Sequence, residues 1–334
     1  MTITKAEISA LKGISIIMII IHNTVHLLVP VHENEFQFNP THVTLFFSQF
    51  ETQPFSNFFS FWGWLGVSFF LFASGYGLSV KYGNRPLQVK QWIKRHYLKL
   101  VLLLLPAFAV YLAMRIYYDW QSVNYMECLL EQLLLLNIIN PHAIQPGIFW
   151  YIGMAFQFYI WYLWFRKLSG NQLVLIALCT TLAIALLPAA YVSYIRHNSI
   201  GWMPEFVFGI LLARSGQESI VFHGRALSAG FALLGITLFA LSQYTFMLSG
   251  MCFVYLLLIY KTQLSKVKIL LYLGNYSASL YVVHAVVRSI VLAIISWGGN
   301  LSAAMISIIV LALAIMCAIP YHRMYTQISK KWQN

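Results

Sequence analysis

Long apolar stretches separated by short polar connections run through this chain. A helix rises about 1.5 Å per residue, so about 20 mostly apolar residues cross a hydrocarbon layer of about 30 Å. The pattern predicts ten such spans, over residues 8–29, 58–80, 98–118, 148–166, 173–192, 200–214, 227–244, 246–260, 274–296 and 302–322. Short connections rich in Gly, Asn and Ser favour antiparallel neighbours. The predicted fold class is all-α, a polytopic membrane helical bundle of about ten transmembrane helices, in one domain (1–334) with no soluble appendage.

Composition and charge support a membrane protein rather than a nucleic-acid-binding one. Hydrophobic residues make up 60% of the chain and charged residues only 9%, whereas a soluble domain is about 25% charged. The net charge of +12 comes from Lys and Arg that fall mostly on alternate connections, as expected of cytoplasmic loops. With an even number of spans, this predicts that both termini are cytoplasmic. The predicted location is the inner (plasma) membrane, with lipid as a partner and no nucleic acid. The four cysteines indicate neither a disulfide framework nor a metal site.

The first predicted span carries ionisable side chains, which are expensive in a membrane and therefore indicate a functional site. Lys12 precedes His22 by ten residues, which is about 15 Å along a helix and about 80° around it, so both could face one interior channel. His26 lies one turn beyond His22 on the same face. The alternative is that Lys12 reaches the headgroups and His22 bonds a neighbouring helix.

A polar stripe occupies the ninth predicted span. Ser277, Tyr281, His284 and Arg288 are spaced four, three and four residues apart and so share one helical face. An intramembrane arginine faces protein or water, which makes His284 and Arg288 functional candidates. The alternative is a structural hydrogen-bond stripe, which suits Ser277 and Tyr281 best.

Further candidates lie near the predicted external ends of the spans. Trp150, Arg196 and Glu205 each have a functional and a structural interpretation. Trp150 is typical of an interfacial belt, Arg196 of headgroup binding, and Glu205 of pairing with a buried cation. The segment 31–57, rich in Glu, Gln and Asn, is either an acceptor contact or only a connector.

Four motifs follow one another along nearly the whole chain: Lys12 with His22, Phe69-Phe70 with Ser74-Gly75-Tyr76, Pro204–Gly209, and Leu273–His284. In this order they resemble the acyltransferase type 3 family of integral membrane proteins. One departure is Lys12, where the family more often has arginine; lysine keeps the charge but loses the bidentate fork.

The resemblance implies transfer of an acyl group, commonly acetyl, from cytoplasmic acyl-CoA to a hydroxyl of a carbohydrate or lipid-linked glycan. Acyl-CoA is then a co-substrate, and no tightly bound cofactor or metal is expected. A neutral imidazole can take the hydroxyl proton. The implied roles are catalytic for His22, Lys12, His284 and Arg288, donor-binding for Arg95 and Lys99, and acceptor-binding or structural for Ser74, Tyr76, Trp150, Arg196, Glu205 and Tyr281.

Two other functions suit part of this pattern. A transporter or flippase for a polar solute or a lipid-linked glycan would use the same His and Arg as a proton relay or anion site, although neither an internal repeat nor paired broken spans support it. The other large family of membrane-bound O-acyltransferases shares the chemistry but requires a different arrangement of His and Asn. Measured CoA release would separate acyl transfer from transport.

Overall fold

The computed structural model describes residues 3–29, 33–83, 85–118, 130, 132–135, 149–215, 224–295 and 301–333, and its regular elements there are helical. The α-helices of this part of the chain are α1 (Lys5–Val25), α2 (Pro40–Gln49), α3 (Pro54–Trp62), α4 (Leu65–Tyr82), α5 (Val89–Tyr118), α6 (Trp150–Phe165), α7 (Gly170–Leu186), α8 (Ala189–Arg196), α9 (Met203–Arg214), α10 (Arg225–Ala240), α11 (Ser249–Ile259), α12 (Lys261–Leu264), α13 (Lys268–Asn275), α14 (Ser277–Ile295) and α15 (Ala303–Gln333). Short 3₁₀ turns over Ser199–Trp202 and Phe246–Leu248 lead into α9 and α11.

Within the described ranges, five helical segments are long and apolar enough to cross a membrane. They are Lys5–Val25, Pro54–Tyr82, Val89–Met114, Ser277–Ile295 and Ala303–Trp332, and they coincide with the first, second, third, ninth and tenth predicted spans. Shorter apolar helices over Gly170–Leu186, Arg225–Ala240 and Phe246–Ile259 fall at the fifth, seventh and eighth. The helical membrane character is thus confirmed, whereas ten spans and the orientation of the termini remain predictions.

Two helices extend well beyond the apolar stretches that predicted them. Helix α5 begins at Val89, before the predicted span 98–118, so Lys94 and Arg95 lie inside the helix together with Lys99. Helix α15 continues to Gln333, although the predicted span ends at residue 322. Hydropathy marks only the apolar part of a helix, and Lys, Arg and Gln are good helix formers that prolong it outside that part.

The chain forms two compact units. The first contains Met1–Pro86 and Trp161–Asn275, and the second contains Leu87–Ile160 and Tyr276–Asn334. In the first unit α4 packs on α1, α9 and α11, and α13 packs on α1. In the second unit α14 packs on α5 and α15.

Helices α4 and α9 cross at two glycines that allow their backbones to touch. A Cβ atom added at Gly75 would collide with the carbonyl oxygen of Phe206, and one added at Gly209 would collide with the carbonyl oxygen of Phe72. Small residues at helix crossings bring backbones close in membrane proteins, where water supplies no hydrophobic force between helices. The small residues of the second-span motif therefore have a packing role.

The start of α1 is held by a buried ion pair. Thr4 and Glu7 form a capping box, in which the Thr4 hydroxyl accepts from the backbone N–H of Glu7 and the Glu7 carboxylate accepts from that of Thr4. The other carboxylate oxygen of Glu7 lies 2.8 Å from Lys261 Nζ and accepts from Thr262 Oγ1. One carboxylate thus caps α1 and attaches it to α12.

Candidate active site

His22 lies near the end of α1, and a backbone carbonyl of α3 holds its ring in one orientation. Its ring is buried, and its Nδ1 donates to the carbonyl oxygen of Phe59 at 2.8 Å. Gly63 makes room for the imidazole, since a Cβ atom there would collide with the His22 side chain. Because Nδ1 carries the hydrogen of this bond, Nε2 is the nitrogen that faces the chemistry of the site.

Two carboxylates approach His22 Nε2 from the connection between α1 and α2. Oε2 of Glu33 lies 3.0 Å from Nε2, and Oε2 of Glu35 lies 3.6 Å from it. Glu33 and Glu35 are two residues apart on this connection, so one short segment presents both carboxylates to Nε2. His42 supports this segment by donating from Nδ1 to the carbonyl oxygen of Glu33 at 2.7 Å.

Arg196 holds the same segment from the other side. Its side chain is fully buried and donates from Nε to the carbonyl oxygen of Glu35 and from Nη1 to that of Gly201, both at 2.8 Å. The guanidinium lies 3.7 Å from the centre of the Trp202 ring, a cation–π contact that strengthens in a desolvated site. Arg196 thus binds protein in this structure, which favours the structural interpretation over headgroup binding.

The charges around the segment perturb one another. Burial raises the pKa of Glu35 to about 7. The contact with His22 acts to lower this pKa, and the negative charge of Glu33 acts to raise it. Burial also acts to raise the pKa of Glu33, but the charges of His26 and His22 outweigh it and lower that pKa below its usual value. Burial lowers the pKa of Arg196 to about 10, opposed by Glu205 and Glu35. At neutral pH Glu33 is therefore a carboxylate and Arg196 a cation.

The remaining candidates of the first unit have different surroundings. Glu205 is buried, accepts from Ser68 Oγ at 3.4 Å and interacts electrostatically with Arg196, as expected of a carboxylate near a buried cation. Ser74 donates to the carbonyl oxygen of Phe70 in its own helix. The Tyr76 hydroxyl accepts from the backbone N–H of Ile3.

Lys12 is only partly buried on α1. The contacts of Ser74 and Tyr76 with backbone groups are those expected of structural residues. The roles of Lys12 and Glu205 stay predictions.

The predicted polar stripe is buried on α14 in the second unit. Ser277, Tyr281, His284 and Arg288 are all at most 7% exposed. His284 donates from Nδ1 to the carbonyl oxygen of Leu280 at 3.2 Å. The Tyr281 ring lies 5.3 Å from that of Tyr151 and 5.7 Å from that of His284. The spacing of the four residues thus correctly predicted one buried face, while their roles in catalysis stay predictions.

The second unit also brings the two predicted donor-binding residues together. Arg95 and Lys99 line one groove of about 370 Å³, together with Gln91, Lys94, Leu98, Leu102, Ser329 and Trp332. Its lining contains three cations and no carboxylate, which suits a phosphate-bearing ligand. Trp150, the other candidate of this unit, is buried at the start of α6 beside Tyr151.

Glu33 and Glu35 were not singled out from the sequence as site residues, yet they contact the predicted base. The available signal was weak: two acids on a connection that was interpreted either as an acceptor contact or as a connector. His26 extends the group, since its Nδ1 lies 3.6 Å from Glu33 Oε2. The donor atoms of His22, His26 and Glu33 all lie within 4.8 Å of one another, so these three residues could hold a metal ion.

Comparison with known proteins identifies the class. The family model described as an acyltransferase domain, acyltransferase type 3, matches residues 5–322, and the chain belongs to this family. The protein is therefore a helical membrane protein of an acyltransferase family. Neither the curated proteins nor the solved structures contain a significant match to the chain.

Proposed function

We propose that the protein transfers an acyl group, most simply acetyl, from cytoplasmic acyl-CoA to a hydroxyl of a carbohydrate or lipid-linked glycan. Family membership supports acyl transfer. The observation that carries the detailed proposal is the buried His22 ring, with Nδ1 bonded to the Phe59 carbonyl and Nε2 directed at Glu33 and Glu35. An oriented imidazole of this kind suits the activation of a hydroxyl group.

In this mechanism His22 Nε2 takes the proton of the acceptor hydroxyl as its oxygen attacks the thioester carbonyl. The new C–O bond forms the ester, the C–S bond breaks, and the CoA thiolate leaves and receives the proton. General-base help of this kind typically contributes about 10²–10⁴-fold. The Glu33 carboxylate stabilises the imidazolium that forms, because it is only 3.0 Å from Nε2. An imidazole with hydrogen on both nitrogens cannot act as a base, so the Nε2 hydrogen that faces Glu33 and Glu35 must first pass to one of these carboxylates. The acceptor hydroxyl must then displace part of the contact between Glu33 and Nε2.

The groove on α5 suits the donor. We assign the CoA phosphates to Arg95 and Lys99, with Lys94 on the same groove, because phosphate recognition requires convergent cations. Lys12 is assigned a supporting charge on α1, and His284 and Arg288 the acceptor or the oxyanion. The proposed setting is the inner membrane with both termini cytoplasmic.

The experiment is acyl transfer by the purified protein in liposomes. Radiolabelled acetyl-CoA is supplied with candidate glycans, and CoA release and label transfer are measured for wild type, His22→Ala and His22→Gln. We expect both variants to lose about 10²–10⁴-fold of turnover. His322→Gln is a matched control, because His322 also lies on an apolar helix but bonds Ser279 in the second unit.

Two results would contradict the proposal. Wild-type turnover in folded His22→Gln would remove the base assignment. Absence of CoA release from wild type with every acceptor would contradict acyl transfer from CoA and favour the carrier alternative.

A further inference from the structure

We propose that His22, His26 and Glu33 form a binding site for a transition-metal dication of the Zn²⁺ type. The binding proposal stands on the geometry of the first unit alone. Its functional consequence, inhibition by the bound ion, rests on the proposed role of His22 as the base.

The distances between donor atoms fit one coordination sphere. Zn²⁺ takes bonds of about 2.0–2.2 Å to nitrogen and oxygen, so neighbouring donors of a tetrahedral site are roughly 3.3–3.6 Å apart. Glu33 Oε2 lies 3.0 Å from His22 Nε2 and 3.6 Å from His26 Nδ1. The two imidazole nitrogens lie within 4.8 Å of each other, so modest side-chain shifts would bring the three donors onto one ion and leave the fourth tetrahedral position for water.

The two imidazoles are also supported as metal ligands usually are. His22 and His26 are four residues apart, so one helical face presents both rings, whose centres are 3.9 Å apart. The nitrogen of each ring that faces away from Glu33 lies against a backbone carbonyl, Phe59 at 2.8 Å and Ser60 at 3.4 Å. Such outer contacts fix the tautomer and direct the other nitrogen at the ion.

The donor types indicate the class of ion, and the exposure of the three side chains indicates its route to the site. Two imidazoles with one carboxylate suit Zn²⁺ and its neighbours, whereas Mg²⁺ and Ca²⁺ prefer oxygen ligands alone. The side chain of His22 is only 4% exposed, while those of His26 and Glu33 are 14% and 18% exposed. The ion therefore reaches the site at His26 and Glu33, and His22 lies at its inner end.

A bound ion would occupy the lone pair of His22 Nε2. The same nitrogen cannot then take the proton of an acceptor hydroxyl. The bound ion and acyl transfer are therefore mutually exclusive, and we expect Zn²⁺ to inhibit turnover reversibly, with chelator restoring it.

The test measures metal directly on the full-length protein. Protein purified through a tag without histidines is stripped with chelator, incubated with Zn²⁺, desalted and assayed for metal by mass spectrometry. Co²⁺ serves as a second probe, because its visible absorption reports tetrahedral coordination. We expect about one ion per chain for wild type. His26→Gln and Glu33→Gln should each weaken binding by more than the ~10–100-fold that loss of an outer contact typically costs.

Controls and outcomes separate this proposal from the proposed function. His322→Gln, which lies outside the cluster, should bind the ion like wild type, and size-exclusion profiles identify any variant that fails to fold. Stripped wild type that retains no zinc after desalting would overturn the site, as would unchanged binding by both folded variants. Zinc binding that depends on His26 and Glu33 supports the site even if no acyl transfer is detected. If turnover is detected and the bound ion leaves it unchanged, the inhibitory consequence is wrong.

Discussion

Substitution by alanine is predicted to have opposite effects on stability at two glycines of α4. At Gly75 an added Cβ atom collides with the backbone carbonyl of Phe206 on α9, whereas at Gly77 it meets nothing within 4 Å. Both substitutions to Ala replace a poor helix former by the best one, which stabilises a helix interior by about 0.8–1.0 kcal/mol. Only Gly75→Ala must also separate two packed backbones, and overpacking of this kind costs about 1–3 kcal/mol.

The difference between the variants is therefore about 1–3 kcal/mol in favour of Gly77→Ala, since the propensity gain cancels. A stability change of 1 kcal/mol shifts the melting temperature of a large domain by roughly 2–4 °C. The melting temperatures of the two variants should therefore differ by about 2–12 °C. Thermal unfolding of the detergent-solubilised variants, followed by tryptophan fluorescence, measures this. Equal melting temperatures for Gly75→Ala and Gly77→Ala would refute close backbone contact between α4 and α9.

Two further predictions concern buried charges. Lys261→Met leaves the Glu7 carboxylate buried without its cation, which should cost about 3–5 kcal/mol, and adding Glu7→Gln should restore part of the lost melting temperature. If Lys261→Met and the double variant with Glu7→Gln lose the same melting temperature, Glu7 and Lys261 are not energetically coupled. Arg196→Lys removes the fork that bonds the carbonyl of Glu35 and stacks on Trp202, at a cost of about 1.5–3 kcal/mol. Limited proteolysis should then cut the segment 33–39 faster than in wild type, and an unchanged rate would contradict the role assigned to Arg196.

Hydropathy and helical spacing predicted much of this protein correctly. The apolar stretches located five segments that can span a membrane, and the four-three-four spacing on α14 located one buried polar face. Both follow from local physics, because a helix repeats every 3.6 residues and a bilayer has a set thickness. The order of the motifs also led to the family that the comparison confirms.

The helix ends were less predictable. Polar residues with good helix propensity carry α5 and α15 beyond their apolar parts, and hydropathy is insensitive to this.

Only the tertiary structure brought the carboxylates to His22 and buried Arg196. Glu33 and Glu35 lie on a connection without helical periodicity, and the carbonyl of Glu35 bonds a side chain 161 residues away. Such contacts depend on how α1, α3 and the turn before α9 meet, and a local pattern cannot encode a distance between segments so far apart in the chain. The sequence by itself therefore determined the membrane class, the family and the base candidate, while packing decided which charges surround that base.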